Sequence, residues 1–432
     1  MRKFLALFLC AVMVLGVASF ASADAAKTKL TLWTFIDQHA QFYTAMAEKW
    51  NALHPDRQIE LDAQVIGYED MHNKFKIALQ SGVGAPDLCD VELGQFPNVL
   101  LGQPQLVELN NYMADYMADV VQARLSIYSK SGKLYGIPTH VGATVAFYNV
   151  ELLEAAGIDY KSIVTWDDWA AAGLKLKAAN PGVYMGNVET TTNWITSLML
   201  TEQGADYQDN SDPDNPVPTV DTPELLKAVT TQQGWLKDGI AITCPGGQVD
   251  TAEGKAWVNT GVCATVIMPL WYMSRFVDEI PDMAGKYAIA PAPVFEAGQP
   301  RSIGLGGTGT VVSLTAADKD LAAEFIVYAK ISPEGEKMVW QFLGFDPVNT
   351  AVWEDTALTH DPDNKYNKYF LTNAFDTLLE VKNEISFIVS TSISPTINNY
   401  FGTTLWNNLY IDGNDAAEEL KTAQETIAAD IF

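Results

Sequence analysis

The chain has 432 residues, with 27 Lys and Arg against 53 Asp and Glu and a formal net charge of −26. So acidic a surface repels phosphate backbones and anionic headgroups, which excludes nucleic acid as a partner. The length exceeds one ordinary core of about 100 to 200 residues and predicts two lobes.

In chain order, the first segment reads as a secretory signal peptide over residues 1–23. Arg2 and Lys3 precede an apolar run from Phe4 to Val17, and Ala21, Ser22 and Ala23 form an A-x-A cleavage site. The mature chain then begins near Asp24, and loss of Arg2 and Lys3 takes the charge from −26 to −28. The apolar run is shorter than the roughly 20 residues of a bilayer span, which argues against an uncleaved anchor. Cys10 lies inside that run, where a lipid-anchoring cysteine does not belong. The expected location is beyond the cytoplasmic membrane, periplasmic or extracytoplasmic.

Lys29 to Trp33 alternates as a strand and is followed by a polar elbow from Ile36 to His39. Phe42, Met46, Trp50 and Leu53 then recur at helical spacing, so an amphipathic helix ends before Pro55. Ile59 to Val65 reads as the next strand, which completes β-α-β. A helix over about Glu69 to Gln80 and strands at Asp87 to Glu92 and Thr144 to Tyr148 continue the alternation. Thr165 with Asp168 predicts a capping box, while Thr222 before Pro223 and Ser332 before Pro333 predict capped helix starts. The fold class is α/β. Trp33, Trp50 and Trp340 read as core residues. Tyr207 to Pro218 is dense in Asp, Asn and Pro and reads as a solvated loop; its spacing misses the EF-hand pattern for calcium.

After cleavage the cysteines are Cys89, Cys244 and Cys263, without C-x-x-C or H-x-x-x-H spacing, so no metal site and no cofactor is expected. An oxidising compartment permits a Cys244–Cys263 disulfide; three separate buried thiols are the plainer expectation. Gly304 to Gly309 fits G-x-G-x-x-G, but a dinucleotide loop must open a helix and Thr310 to Leu314 reads as a strand. A tight approach of bare backbone to a neighbouring lobe or ligand fits better. A secreted hydrolase with a carboxylate pair is the alternative reading, since Asp and Glu are abundant. Against it, there is no G-x-S-x-G elbow and no H-E-x-x-H, and the histidines are single.

Trp271 and Tyr272 end the apolar run from Gly261 to Pro269, where a buried strand should emerge at its carboxyl end. Crevices of open α/β sheets lie at such ends, and an aromatic ring there can cover the apolar face of a sugar. Interior packing of the pair is the plainer alternative.

Several further stretches follow in a specific order: GAPD at Gly84, GKLYGIP at Gly132, FYN at Phe147, AGID at Ala156, TWDD at Thr165, GKA at Gly254 and LAAEF at Leu321. On these the chain resembles the family 1 extracellular solute-binding proteins, the sugar-binding components of ABC importers that include maltose-binding protein. YEDMH at Tyr68, DVELGQF at Asp90, ARLSIYSK at Ala123, THVG at Thr139, MPLWYMSRF at Met268, GLGGT at Gly304 and LGFDP at Leu343 are similar to the arabinooligosaccharide-binding proteins of Gram-positive bacteria. Those relatives are usually lipoproteins, a departure from the leader here.

The resemblance implies a two-lobe clamshell with a sheet in each lobe and a hinge of chain crossovers near Thr139 to Gly142, Gly304 to Thr308 and Phe345 to Pro347. Residues 27–140 with 305–345 would form lobe one, and residues 141–304 with 346–432 lobe two. It implies a non-enzymatic monomer that closes on a carbohydrate and delivers it to permease subunits. Contacts carried over by matching position are Asp37, Gln38 and His39 after the first strand, Glu92 and Gln95 after the third, and Trp271 as stacking ring. Trp194, Tyr272, Gly307 and Asp346 are placed by neighbourhood. Where many relatives have an acid, this chain has Gly142, and His140 is the expected compensation.

Overall fold

The computed structural model describes residues 27–212 and 215–431. The leader read from residues 1–23, with Cys10, lies outside the described residues. Among the described residues no helix is long and apolar enough to cross a membrane.

The first sheet has five strands in the order Ile59–Val65, Thr28–Thr34, Leu88–Glu92, Thr308–Val312, Gly136–Pro138. The first three are parallel, as β-α-β connections require, while Thr308–Val312 returns antiparallel to both of its neighbours. The first connecting helix, Asp37–Leu53, buries Phe42, Met46 and Trp50 against the sheet; Leu53, expected on the same face, is instead 61% exposed at the last helical position. The second, Tyr68–Ser81, ends at Gly82 in the left-handed conformation. Trp50 and Trp340 are buried as expected, and Trp33 is half-buried against the same core.

A second sheet holds Thr144–Asn149 between Thr265–Pro269 and Tyr287–Ala290, all antiparallel. Its central strand alternates between two cores: Val145 and Phe147 join the cluster of the first sheet, whereas Ala146 and Tyr148 join a separate cluster with Trp166, Trp169 and Trp406. Gly186–Val188 and Ala241–Thr243 pair in parallel beside this sheet. The predicted helix starts are present. Thr165 and Asp168 close a reciprocal capping box, Thr222 Oγ1 accepts from the amide of Leu225, and Ser332 Oγ accepts from the amide of Gly335.

Two expectations change in detail. The polar residues Asp37, Gln38 and His39, expected in an elbow from Ile36, fall inside the helix, and the connection after the first strand is only the apolar pair Phe35–Ile36. Within the stretch read as a solvated loop, Gln208–Asp209 and Val217–Pro218 pair antiparallel. Cys89, Cys244 and Cys263 are buried and free, which is the plainer expectation, and the disulfide permitted between the last two is not formed.

Between the sheets the chain passes along three adjacent segments. Val141 donates to the Asp346 carbonyl, Leu305 donates to the Gly142 carbonyl, and Ala143 bridges Gly304. The glycine stretch from Gly304 leads into the strand Thr308–Val312, not into a helix, so no dinucleotide loop forms.

Candidate functional site

A cavity of about 870 Å³ opens between the two sheets, at the carboxyl ends of several strands. Phe35 and Ile36 follow the strand Thr28–Thr34, Leu93 to Gln95 follow Leu88–Glu92, and Trp271 follows Thr265–Pro269. This is where an open α/β sheet leaves its loops free to carry side chains.

On the first-sheet side His39 and His140 flank Phe345, with ring centroids 5.9 and 4.6 Å from it. Both histidines are 2% exposed, and His39 Nε2 and both His140 nitrogens have no hydrogen-bond partner. His39 Nδ1 is fixed by Asp90 Oδ2 at 3.1 Å. Burial alone would raise the Asp90 carboxyl, but the His39 hydrogen bond and the Lys330 ammonium hold it well below the usual carboxylate range. Burial, then the Arg124 guanidinium, pushes His140 far below the usual imidazole range, so it is neutral and offers one donor and one acceptor. The Glu92 carboxylate accepts from the Gly94 amide at 2.7 Å and the Tyr68 hydroxyl at 3.1 Å, and burial raises its pKa.

On the opposite side Trp194 begins the helix Trp194–Thr201. Its N-terminus is satisfied by Glu189, which accepts from the Ile195 amide at 3.2 Å; burial raises that carboxyl to about 8. Trp194 is half-buried, donates Nε1 to Gln248 Oε1 at 3.3 Å, and meets Trp271 edge-on at 5.7 Å. Trp271 is 8% exposed, donates Nε1 to the Leu305 carbonyl at 3.1 Å, and carries the Arg275 guanidinium 5.4 Å from its ring. One aromatic is therefore presented to the cavity, and the other is clamped behind it.

Of the side chains singled out in the sequence, His39, Glu92, Gln95, His140, Trp194, Trp271 and Gly307 line this cavity. Four do not. Asp37 and Gln38 face a separate hollow across Ile36. Tyr272 is fully buried and spends its hydroxyl on the Val249 carbonyl at 2.8 Å. Asp346 is buried between the crossovers, where its carboxylate accepts from the amides of Gly142 at 3.1 Å and Ala143 at 2.8 Å; burial raises it to about 7.

Residues 36–336 match the family model described as bacterial extracellular solute-binding protein. The chain is 40% identical over 406 residues to the arabinooligosaccharide-binding protein of Halalkalibacterium halodurans, covering 94% of this chain and 90% of that protein. This chain belongs to the bacterial extracellular solute-binding proteins. The arabinooligosaccharide-binding protein of Bacillus subtilis is also 40% identical, over 395 residues, 89% of this chain and 90% of the relative. Among solved structures, the sugar-binding protein MalE of Xanthomonas citri superposes with a TM-score of 0.76 at 18% identity, covering 93% of this chain and 97% of that one. A binding protein of B. animalis subsp. lactis Bl-04 in complex with beta-1,6-galactobiose does so with the same score, identity and coverage. At that identity the likeness establishes the two-lobe α/β fold.

In this solute-binding protein Gly142 leaves no room for the acid that the family resemblance would place there. Its φ is +72°, and a Cβ would lie 2.5 Å from the Leu305 carbonyl oxygen. Gly307 is equally obligate: at φ +105° its Cβ would fall 2.2 Å from Arg124 Nη2 and 3.1 Å from His140. Sequence reasoning missed Arg275, Asp250 and Tyr68 as lining residues. Arg275 had a signal, because it stands four residues after Trp271 where a helical turn brings it back to the same face. Asp250 had none.

Proposed function

We propose that this chain is the extracytoplasmic substrate-binding subunit of an ABC importer, and that it captures a neutral, arabinose-containing oligosaccharide in the cavity between the sheets and hands it unchanged to membrane permease subunits. The reading rests on one arrangement above all: Trp194, backed by Trp271, lines the cavity together with His39 and His140, whose unpartnered ring nitrogens are buried in its wall. An aromatic face and fixed donors and acceptors are what a sugar ring, apolar on its faces and hydroxylated at its edge, requires. The two relatives at 40% identity, named for arabinooligosaccharides, supply the sugar class.

Residues 27–140 with 305–345 and residues 141–304 with 346–432 are the proposed lobes, and the crossovers tied together by Asp346 their hinge. The leader over residues 1–23 would deliver a monomer beyond the membrane. Binding without catalysis is favoured over glycoside hydrolysis because two of the three carboxylates lining the cavity are already committed, Glu92 to Gly94 and Tyr68, and Asp250 to Arg275 Nε at 2.9 Å, which leaves Glu69 alone and short of the pair that hydrolysis requires. A thermal-shift screen of neutral oligosaccharides tests the reading, since a ligand at about 100 times its Kd adds about 2.7 kcal/mol of stability. Arabinooligosaccharides should raise Tm. A panel in which only other sugars do so would overturn the sugar class, and a panel with no shift at all would overturn the function.

A further inference from the structure

Two hollows meet at Arg275. The second, of about 700 Å³, shares Ile36, Asp250 and Arg275 with the larger cavity and extends away from it past Asp37 and Gln38. Arg275 is held at the junction from both sides: Nε donates to Asp250 Oδ1 at 2.9 Å, Nη1 donates to Ser274 Oγ at 3.1 Å, and the guanidinium lies over the Trp271 ring. Arg275 and Asp250 are only partly buried, so the pair forms a low divider between the hollows and not a sealed wall.

We propose that the smaller hollow is an extension subsite, which receives the units of a neutral oligosaccharide that run beyond the larger cavity, past the Arg275–Asp250 divider. The proposal rests on the sugar-binding reading of the larger cavity and adds to it a direction of exit and a dependence on chain length. The charge pattern of the hollow selects its occupant. Its three cations are each matched, Arg275 with Asp250, Lys255 with Glu279 and Lys365 with Asp278. Asp37, whose carboxylate accepts from Gln41, is the one carboxylate lining the hollow that is left without a cation. A wall with a spare carboxylate and the Gln38 amide accepts and donates hydroxyl hydrogen bonds, and it repels a uronate. The floor is fixed, because Gln38 Nε2 at 3.4 Å and the Tyr366 hydroxyl at 3.3 Å both donate to the Phe342 carbonyl. Exposed rim residues such as Asp278 and Glu279 leave the far end of the chain in water.

The test is calorimetric titration of the full mature chain with linear arabinooligosaccharides from the disaccharide to the octasaccharide, alongside a glucuronate-capped chain of matched length. Affinity should rise with length beyond the point at which the larger cavity is filled, by about tenfold in total, equal to about 1.4 kcal/mol. The glucuronate-capped chain should gain no such increment. Gln341→Trp, at an exposed rim position, plugs the smaller hollow; it should erase the increment while leaving disaccharide affinity within about twofold. Gln41→Trp plugs it from the first helix and serves if the other variant misfolds. Flat affinity across long chains in the unmodified protein, or an increment that survives a folded plugged variant, overturns the extension subsite while leaving sugar binding intact. Absence of binding at every length overturns the sugar reading and the subsite together.

Discussion

Trp194 and Trp271 touch each other but should fail differently when removed. Trp271 is 8% exposed and ties its strand end to the Leu305 carbonyl, so Trp271→Ala leaves a large void and an unpaired acceptor at the crossover. Deleting a buried Trp costs about 3–5 kcal/mol, and the lost hydrogen bond adds about 1 kcal/mol. A loss of about 4–6 kcal/mol would consume much of the stability of an ordinary domain. Trp194 is half-buried, and its exposed part faces the cavity, so Trp194→Ala should cost less in stability and more in binding. An aromatic anchor contributes about 2 kcal/mol or more to binding, close to a thirtyfold change in Kd. Urea unfolding and calorimetric titration with an arabinooligosaccharide, run on both variants, separate the two effects. If Trp194→Ala binds like the unmodified chain while Trp271→Ala is stable but does not bind, the roles assigned to the pair are reversed and the clamped ring is the one that meets the sugar.

Three further outcomes follow from the same geometry. Burial pushes up six carboxyls, Asp206 to about 6, Asp346 to about 7, Glu189 and Glu202 each to about 8, and Glu92 and Glu336 with them. The protons these carboxyls hold in the folded state outnumber those that the unfolded chain gains at His72, His140 and Lys330, whose pKa values burial lowers, so stability should fall as pH rises from about 5 to about 8; a ligand-free Tm that is flat or increasing over that range would contradict it. Asp346→Ala strips the Gly142 and Ala143 amides of their acceptor and should cost about 2–6 kcal/mol in urea unfolding, whereas Asp346→Asn keeps one acceptor and should cost less. A cost below about 1 kcal/mol for the alanine variant would mean that those amides find other partners. Hinge closure is general among periplasmic binding proteins, so saturating sugar should reduce the radius of gyration in small-angle scattering; identical dimensions with and without sugar would rule out a clamshell here.

The parts of the fold written in local chemistry were legible. Capping at Thr165, Thr222 and Ser332, the β-α-β opening and the strand that ends at Pro269 just before Trp271 all depend on neighbours in sequence, and each is where the spacing puts it. Positions whose meaning depends on distant chain were not. Asp37 follows the first strand as expected but turns into the smaller hollow, because the helix begins at that residue. Asp346 sits at a crossover as expected, yet its carboxylate is consumed by two amides some 200 positions earlier. Gly142 reads as a missing acid until the Leu305 carbonyl is seen to fill the space of its Cβ. Asp250 becomes a lining residue only through Arg275, a pairing that no periodicity announces.

Capture without chemistry is tested most directly by titration of the mature chain with a purified arabinooligosaccharide in a calorimeter, followed by chromatography of the recovered sugar. Saturable binding of one sugar per chain, with the oligosaccharide recovered at its original length, is the predicted result. Shortened products, or no heat of binding with any arabinooligosaccharide, would contradict it.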